Sequence, residues 1–160
     1  MKPAELTDIA AELITALKAK GYTAASAESC TGGNIARSIT SVPGASEVFA
    51  GSIVAYSNDV KHRLLGVDPP TLQHHGAVSQ PTVTEMASGA RTAIGTDCAV
   101  ATSGIAGPGG GSVDKPVGTV WMAVDTPSTK HAALYHFNGT RSEIIDQATV
   151  TAIKLLIESI

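Results

Sequence analysis

Short apolar segments alternate with amphipathic helical patterns along most of this chain, and this alternation limits the folds open to it. Leu6, Leu13 and Leu17 lie at helical spacing and Gly21 follows, which predicts a helix over residues 4–20. Strands are predicted near residues 22–26, 49–56, 98–102, 119–124 and 132–137. We therefore expect one domain over residues 1–160, a three-layer α/β/α sandwich around a mixed, mostly parallel sheet of about five or six strands.

Further helices are predicted between the strands. They cover residues 34–40, a segment from the Ser57 cap to about Leu65, a segment from Ser79 to Gly95, and a final helix from Thr140. Gly66, Pro69 and Pro70 are expected to break the chain. The last two strands lie close enough in sequence to form a hairpin.

The segment Ala-Glu-Ser-Cys-Thr-Gly-Gly, which ends at Gly33, lies between the first predicted strand and the helix over 34–40. It places a hydroxyl and a thiol, Ser29 and Cys30, at a strand-to-helix turn, where glycines such as Gly32 let the backbone approach a ligand. Unpaired amides of a helix start next to a nucleophile form an oxyanion hole. The alternative is an ordinary Ser/Thr-rich helix cap.

Polar residues follow three predicted strands, beginning at Ser29, Tyr56 and Ser103. Ligands of such sheets bind beyond the carboxyl ends of the strands, so these segments are candidates for one cleft. If Ser57 caps its helix, Tyr56 and Lys61 occupy facing positions and bring a phenol and an ammonium together. The alternative is a lysine stem packed on a tyrosine ring at the surface.

Arg141 is predicted at the first position of the last helix, because Thr140 and Glu143 form a capping-box pattern. A cation there opposes the helix dipole, so it is a candidate for anion binding, with an exposed and solvent-screened arginine as the alternative. The glycine-rich loop 103–112 offers further backbone donors, but it lacks the Lys-Ser/Thr ending of a nucleotide P-loop.

Charge and composition exclude several classes of function. The net charge of −3 and the aromatic content of 4% disfavour nucleic-acid binding. No apolar run is long enough to span a membrane, and the two cysteines suit a reduced cytoplasm. The histidines have no metal-ligand spacing, so neither a metal nor another cofactor is expected. Cys30 is an alternative nucleophile, since a helix start lowers a thiol pKa, but no base pairs with it in the sequence.

Six segments carry a resemblance to one family. They begin at Ala27, Tyr56, Leu64, His75, Ser103 and Lys115, and read AESCTGG, YSNDVK, LLGV, HGAVS, SGIAGP and KPVGTV. They resemble the C-terminal domain of the competence-damage-inducible protein CinA, which also occurs as a stand-alone nicotinamide-nucleotide amidohydrolase. The resemblance extends from Leu6 to the last helix, and the chain looks like the stand-alone form.

The resemblance implies hydrolysis of the carboxamide of nicotinamide mononucleotide to nicotinate mononucleotide and ammonia. Ser29 would be the nucleophile and Lys61 its base, with Tyr56 and Ser103 completing the catalytic set. The expected substrate contacts come from Arg141 and from residues of the two glycine-containing loops, namely Thr31, Gly32, Gly104 and Gly107. The family usually has threonine where this chain has Ser103, so the hydroxyl is kept but the stiffening methyl is lost.

Two other functions stay open at this stage: a nucleotide-binding or sensing domain without turnover, and an amidohydrolase for another small amide. The family resemblance and the 43% hydrophobic content also predict a homodimer or higher homo-oligomer.

Overall fold

A five-stranded mixed sheet lies at the centre of the fold, in the order β2-β1-β3-β4-β5. The computed structural model describes residues 3–160. The strands are β1 Ala24–Glu28, β2 Phe49–Val54, β3 Cys98–Gly104, β4 Thr119–Asp125 and β5 Lys130–His136. The helices are α1 Pro3–Lys20, α2 Asn34–Thr40, α3 Asn58–Leu65, α4 Pro69–His75, α5 Gln80–Ile94 and α6 Arg141–Glu158, with a 3-10 turn at Ala45–Glu47.

Four of the strands run in one direction. β1 pairs in parallel with both β2 and β3, while β4 is antiparallel to β3 and to β5. Because β5 reverses direction again, only β4 opposes the others. The predicted α/β architecture with a mixed, mostly parallel sheet is therefore confirmed, and β4 and β5 form the predicted hairpin.

Helices cover both faces of the sheet. α1, α2 and α6 pack together on one face, around a core that includes Leu13, Ile35 and Ile153. α3, α4 and α5 cover the other face, where alanines of the sheet such as Ala99 and Ala101 contact α5. Alternate residues of a strand point to opposite faces, which explains why β3 contributes to both cores.

Most helix starts lie where the sequence predicts them. Ser57 caps α3 by accepting a hydrogen bond from Val60 N–H at 3.2 Å, and Ser79 caps α5 in the same way. Thr140 and Glu143 form the predicted capping box of α6. The chain break expected at Pro69 and Pro70 is wrong, because these prolines occupy the first turn of α4. A first-turn proline loses no helical hydrogen bond and has a suitable φ.

The carboxyl ends of β2, β1 and β3 meet at one edge of the sheet. Glu28, the last residue of β1, pairs with Val54 of β2 and Thr102 of β3. The ladder extends past the strands, since Ala55 N–H donates to Glu28 O and Ser29 N–H donates to Thr102 O. Within residues 3–160, no helix is long and apolar enough to cross a membrane.

Candidate active site

A cavity of about 280 Å³ lies beyond the carboxyl ends of β1, β2 and β3. This volume is close to the lower end of the small-ligand range, roughly 300 Å³. Its walls include the side chains predicted at the three strand ends and part of the glycine-rich loop. The predicted residues that line it are Ser29, Tyr56, Lys61, Ser103, Gly104, Gly107 and Arg141.

Lys61 and Ser29 are in direct contact. The Nζ of Lys61 donates to Ser29 Oγ at 3.0 Å, to the carbonyl oxygen of Ala55 at 2.9 Å and to that of Tyr56 at 3.3 Å. The Lys61 side chain comes from the first turns of α3 and is only 1% exposed. A protonated lysine has three N–H donors, and these three acceptors satisfy all of them.

Burial lowers the pKa of the Lys61 ammonium below its ordinary value, because the charged form loses its hydration. No carboxylate forms an ion pair with this lysine within residues 3–160. Burial is what lowers the pKa of Lys61, and the Arg141 guanidinium is not among the causes of this shift. A neutral amine in this position keeps two N–H groups for the two carbonyls, and its lone pair then faces Ser29 Oγ.

Tyr56 and Lys61 do not meet through their side chains, which corrects the expected pairing of phenol and ammonium. Lys61 binds the backbone carbonyl of Tyr56, whereas the phenol accepts a hydrogen bond from Arg141 Nη2 at 3.0 Å. Tyr56 is 62% exposed and lies at the mouth of the cavity. The surface packing of a lysine stem on the tyrosine ring is excluded as well, because Lys61 is buried.

Arg141 links the mouth of the cavity to the glycine-rich loop. Its Nη1 donates to the carbonyl of Gly107 at 2.7 Å, while its Nη2 contacts Tyr56. Gly107 has φ +79, in the left-handed region that favours glycine. At Gly104 a Cβ would lie 2.7 Å from the carbonyl oxygen of Thr119, so this glycine allows β3 and β4 to approach closely.

Ser103, near the end of β3, lines the cavity and is 1% exposed. Its hydroxyl donates to the carbonyl of Ala77 at 2.8 Å, which joins β3 to the segment before α5. Ala77 and Val78 themselves line the cavity. The hydroxyl is therefore held in place even without the methyl group of threonine.

The turn after Ser29 differs from the expectation of a free helix start. The N-cap of α2 is Gly33, which has no side chain to cap the helix. The amides of Gly33, Ile35 and Ala36 donate instead to the carboxylate of Glu28. In the described chain, the amides of Cys30 and Thr31 donate to no other residue, so the available oxyanion donors belong to the turn and not to the helix.

Thr31 and Gly32 do not line this cavity. The Thr31 hydroxyl donates to Glu28 Oε1 at 2.7 Å and contacts the Thr102 hydroxyl at 2.8 Å. Both residues border a separate depression next to Arg37. Any contact of Thr31 with a ligand in the cavity therefore has to come from its backbone.

Cys30 lines the cavity but is poorly suited to be a nucleophile. Burial raises the pKa of its thiol to about 12, which outweighs the hydrogen bonds from its own amide and from Thr102. The expectation that a helix start lowers this pKa is wrong here, since Glu28 takes the helix amides and adds a like charge. The thiol is almost entirely protonated at neutral pH.

Sequence reasoning missed Glu28. Its side chain is fully buried, and both carboxylate oxygens accept hydrogen bonds. A signal for it existed: the helix over 34–40 has glycine at the cap position, so another acceptor had to come from elsewhere. Asn58, at the start of α3, lines the cavity and was not singled out from the sequence either.

Known proteins are similar to this chain in sequence and in fold. The family model described as the CinA C-terminal domain matches residues 6–160. A protein of Escherichia coli strain K12 named nicotinamide-nucleotide amidohydrolase PncC is 46% identical over 157 residues, which cover 98% of this chain and 95% of that protein. A CinA-like protein of Parasynechococcus marenigrum is 48% identical over 143 residues, covering 89% of this chain. This chain spans 34% of that longer relative.

A solved structure from Agrobacterium tumefaciens, titled competence/damage inducible protein CihA, superposes with a TM-score of 0.95 at 39% identity. The match covers 99% of this chain and 97% of that one. A CinA superfamily protein from Klebsiella pneumoniae superposes with a TM-score of 0.92 at 35% identity and covers 96% of each chain.

Proposed function

Since the chain belongs to the CinA C-terminal domain family, we propose that it hydrolyses the carboxamide of nicotinamide mononucleotide. The products are nicotinate mononucleotide and ammonia. The name of the Escherichia coli relative, which this chain matches over nearly its whole length, supports this substrate. In this proposal Ser29 is the nucleophile and Lys61 is the general base.

One observation carries the mechanism: the contact between Lys61 Nζ and Ser29 Oγ inside the cavity. A serine hydroxyl is a weak nucleophile until an adjacent base takes its proton. Lys61 lies next to it, and its lowered pKa favours the neutral amine that can accept this proton. Such a lysine is costly to bury as a structural residue, which favours a catalytic role over a sensing domain without turnover.

Acylation begins when neutral Lys61 takes the hydroxyl proton of Ser29 and Oγ attacks the carboxamide carbon. The C–O bond forms while the carbonyl π electrons move to oxygen, and the amides of Cys30 and Thr31 donate to that oxyanion. The intermediate collapses, the C–N bond breaks, and the leaving nitrogen takes the proton from Lys61. Ammonia departs and a nicotinoyl ester remains on Ser29.

Deacylation repeats these steps with water. Lys61, which is neutral again, takes a proton from a water molecule while the water oxygen attacks the ester carbon. The second intermediate breaks the bond to Ser29 Oγ, which recovers the proton from Lys61. Nicotinate mononucleotide leaves with its new carboxyl group.

The phosphate of the substrate needs donors at the mouth of the cavity. Arg141 lies there, and its guanidinium offers a bidentate contact to a phosphate. Residues of the glycine-rich loop, including Gly107, line the same cavity, and their backbone amides are further candidate donors. We place the phosphate at this mouth and the carboxamide at Ser29.

A substrate panel tests the proposal. Purified protein is incubated with nicotinamide, nicotinamide riboside or nicotinamide mononucleotide, and ammonia and the acid product are measured. The proposal requires the mononucleotide to be hydrolysed best, because it alone offers a phosphate to Arg141. Equal hydrolysis of all three would indicate an amidohydrolase for another small amide, and no hydrolysis would favour a sensing domain.

Two finer expectations remain predictions. Homo-oligomer formation, which the family resemblance implies, is tested by sedimentation at micromolar concentration, where a monomeric mass would contradict it. A cytoplasmic location is tested by cell fractionation with an antibody against the protein.

A further inference from the structure

Glu28 is a fully buried carboxylate directly before the serine. Its Oε1 accepts from the Thr31 hydroxyl at 2.7 Å, from Ile35 N–H at 2.9 Å and from Gly33 N–H at 3.2 Å. Its Oε2 accepts from Ala36 N–H at 3.0 Å. The Ser52 hydroxyl donates to Oε2 at 3.1 Å, and the Ser26 hydroxyl shares its one proton between Oε2, at 3.2 Å, and Ser52 Oγ, at 2.7 Å.

No lysine, arginine or histidine forms an ion pair with this carboxylate within residues 3–160. A buried charge without a cation is expensive, and only a full set of hydrogen-bond donors keeps it tolerable. Glutamine, with one acceptor oxygen, fits this set of donors worse than glutamate does. The hydrogen-bond donors around position 28 therefore favour a carboxylate over an amide.

The carboxylate joins two elements that the catalytic turn connects. Glu28 itself belongs to β1, which pairs with strands on both sides, and its acceptors hold the first amides of α2. The turn between them contains Gly32 and Gly33, both with positive φ, and such glycines by themselves leave a backbone mobile. A seven-residue helix without a side-chain cap adds little stability of its own.

We propose that Glu28 is a positioning residue for the acyl-transfer site. It fixes the turn 29–33 at both ends, so that Ser29 Oγ stays at Lys61 and the amides of Cys30 and Thr31 stay free to receive the oxyanion. Thr102 extends this support from β3, since its hydroxyl lies 2.8 Å from that of Thr31, whose own proton goes to Glu28. The assignment rests on the proposed role of Ser29 as nucleophile.

The matched variants are Glu28→Gln and Asp97→Asn. The first keeps the shape of the side chain but places an NH₂ group among N–H donors. The second alters the Asp97 carboxylate, which accepts hydrogen bonds from the N–H and the hydroxyl of Thr23. Asp97 directly precedes β3 and lies at the end of the sheet opposite the cavity. Both variants lose hydrogen bonds of one carboxylate, but only the first acts on the catalytic turn. Glu28→Asp serves as a second variant that keeps the charge and withdraws it by one methylene.

Two readouts separate positioning from stability. The first is the rate at which a fluorophosphonate labels Ser29, located by peptide mass spectrometry, and the second is kcat and KM for nicotinamide mononucleotide. A displacement of about 1 Å costs up to roughly 100-fold in rate. We expect Glu28→Gln and Glu28→Asp to slow labelling and lower kcat by about 10- to 100-fold with KM nearly unchanged. Asp97→Asn should keep the wild-type rates despite a lower melting temperature.

The positioning role would be overturned if folded Glu28→Gln is labelled at the wild-type rate, or if Asp97→Asn slows labelling equally. It would also be overturned if wild-type Ser29 is not labelled, or if neither Glu28 variant folds. The proposed function can fail separately. If wild-type protein releases no ammonia from the mononucleotide while Glu28→Gln still labels more slowly, the substrate is wrong and the positioning role stands.

Discussion

The Nζ of Lys61 lies 3.0 Å from the Oγ of Ser29, and the same nitrogen is held by the carbonyls of Ala55 and Tyr56. The two carbonyls belong to the segment that leaves β2, while Ser29 follows β1. The parallel pairing of these strands thus places a base and a hydroxyl side by side. The geometry favours proton transfer between them once the lysine is neutral.

Lys61→Arg should inactivate the enzyme as fully as Lys61→Ala. An arginine keeps the positive charge but does not lose its proton near neutral pH, so it cannot act as the base. We expect kcat to fall by at least about 100-fold in both variants, the usual size of a lost general base. The control is Lys18→Arg, at a half-exposed ion pair with Glu47. Full activity in Lys61→Arg would show that the lysine serves only as a charge.

The pH profile should report the titration of Lys61. Burial favours the neutral amine, which is the active form, so the pKa lies below its ordinary value of 10.5. As pH rises through this pKa, the neutral fraction grows, and kcat/KM should rise and then level off. Measurements of kcat/KM over the whole pH range in which the protein stays folded follow this rise. A profile that is flat or falling over the same range would contradict a lysine base.

Ser103→Thr should retain activity. The added methyl restricts χ1, and the hydroxyl already has a fixed acceptor in the carbonyl of Ala77. We expect kcat/KM to stay within about threefold of wild type or to increase, given how small a rotamer effect is. Ser103→Ala should be worse, because it leaves that carbonyl without its donor and removes a hydroxyl from the cavity wall. Equal activity of the threonine and alanine variants would exclude a role for the hydroxyl.

Arg141→Ala should affect the phosphorylated substrate most. A hydrogen bond to a charged group contributes roughly 1.5–3 kcal/mol, so kcat/KM for the mononucleotide should fall by about 10- to 100-fold. The riboside should change much less. Arg63→Ala is the charge-matched control, since Arg63 pairs with Asp59 on the exposed side of α3. An equal loss for both substrates would remove the phosphate role and leave Arg141 as a support for the glycine-rich loop.

Local signals in the sequence predicted most of the fold. The capping residues Ser57, Ser79 and Thr140 fixed three helix starts, and short apolar segments located the five strands. Helix α4 as a whole was not predicted, because a chain break is expected from the sequence at Pro69 and Pro70, although proline suits the first turn of a helix.

The candidate site was less predictable than the fold. That Ser29, Lys61 and Ser103 share one cavity follows from the parallel order of β2, β1 and β3, and their positions after the strands indicated it. The direction of each side chain did not follow from spacing. The Thr31 hydroxyl donates to Glu28, and the phenol of Tyr56 accepts from Arg141. The role of Glu28 is visible only once α2 is in place, because its carboxylate accepts from amides of that helix.

The most direct test of the account is ammonia release from nicotinamide mononucleotide by wild-type protein, Ser29→Ala and Cys30→Ala. Removing the nucleophile should lower kcat by at least about 1,000-fold. The alanine change at Cys30 should keep most of the activity, because the thiol is buried and protonated. Circular dichroism establishes that each variant is folded. Full turnover by Ser29→Ala, or its loss only in Cys30→Ala, would contradict the central claim that Ser29 attacks the carboxamide.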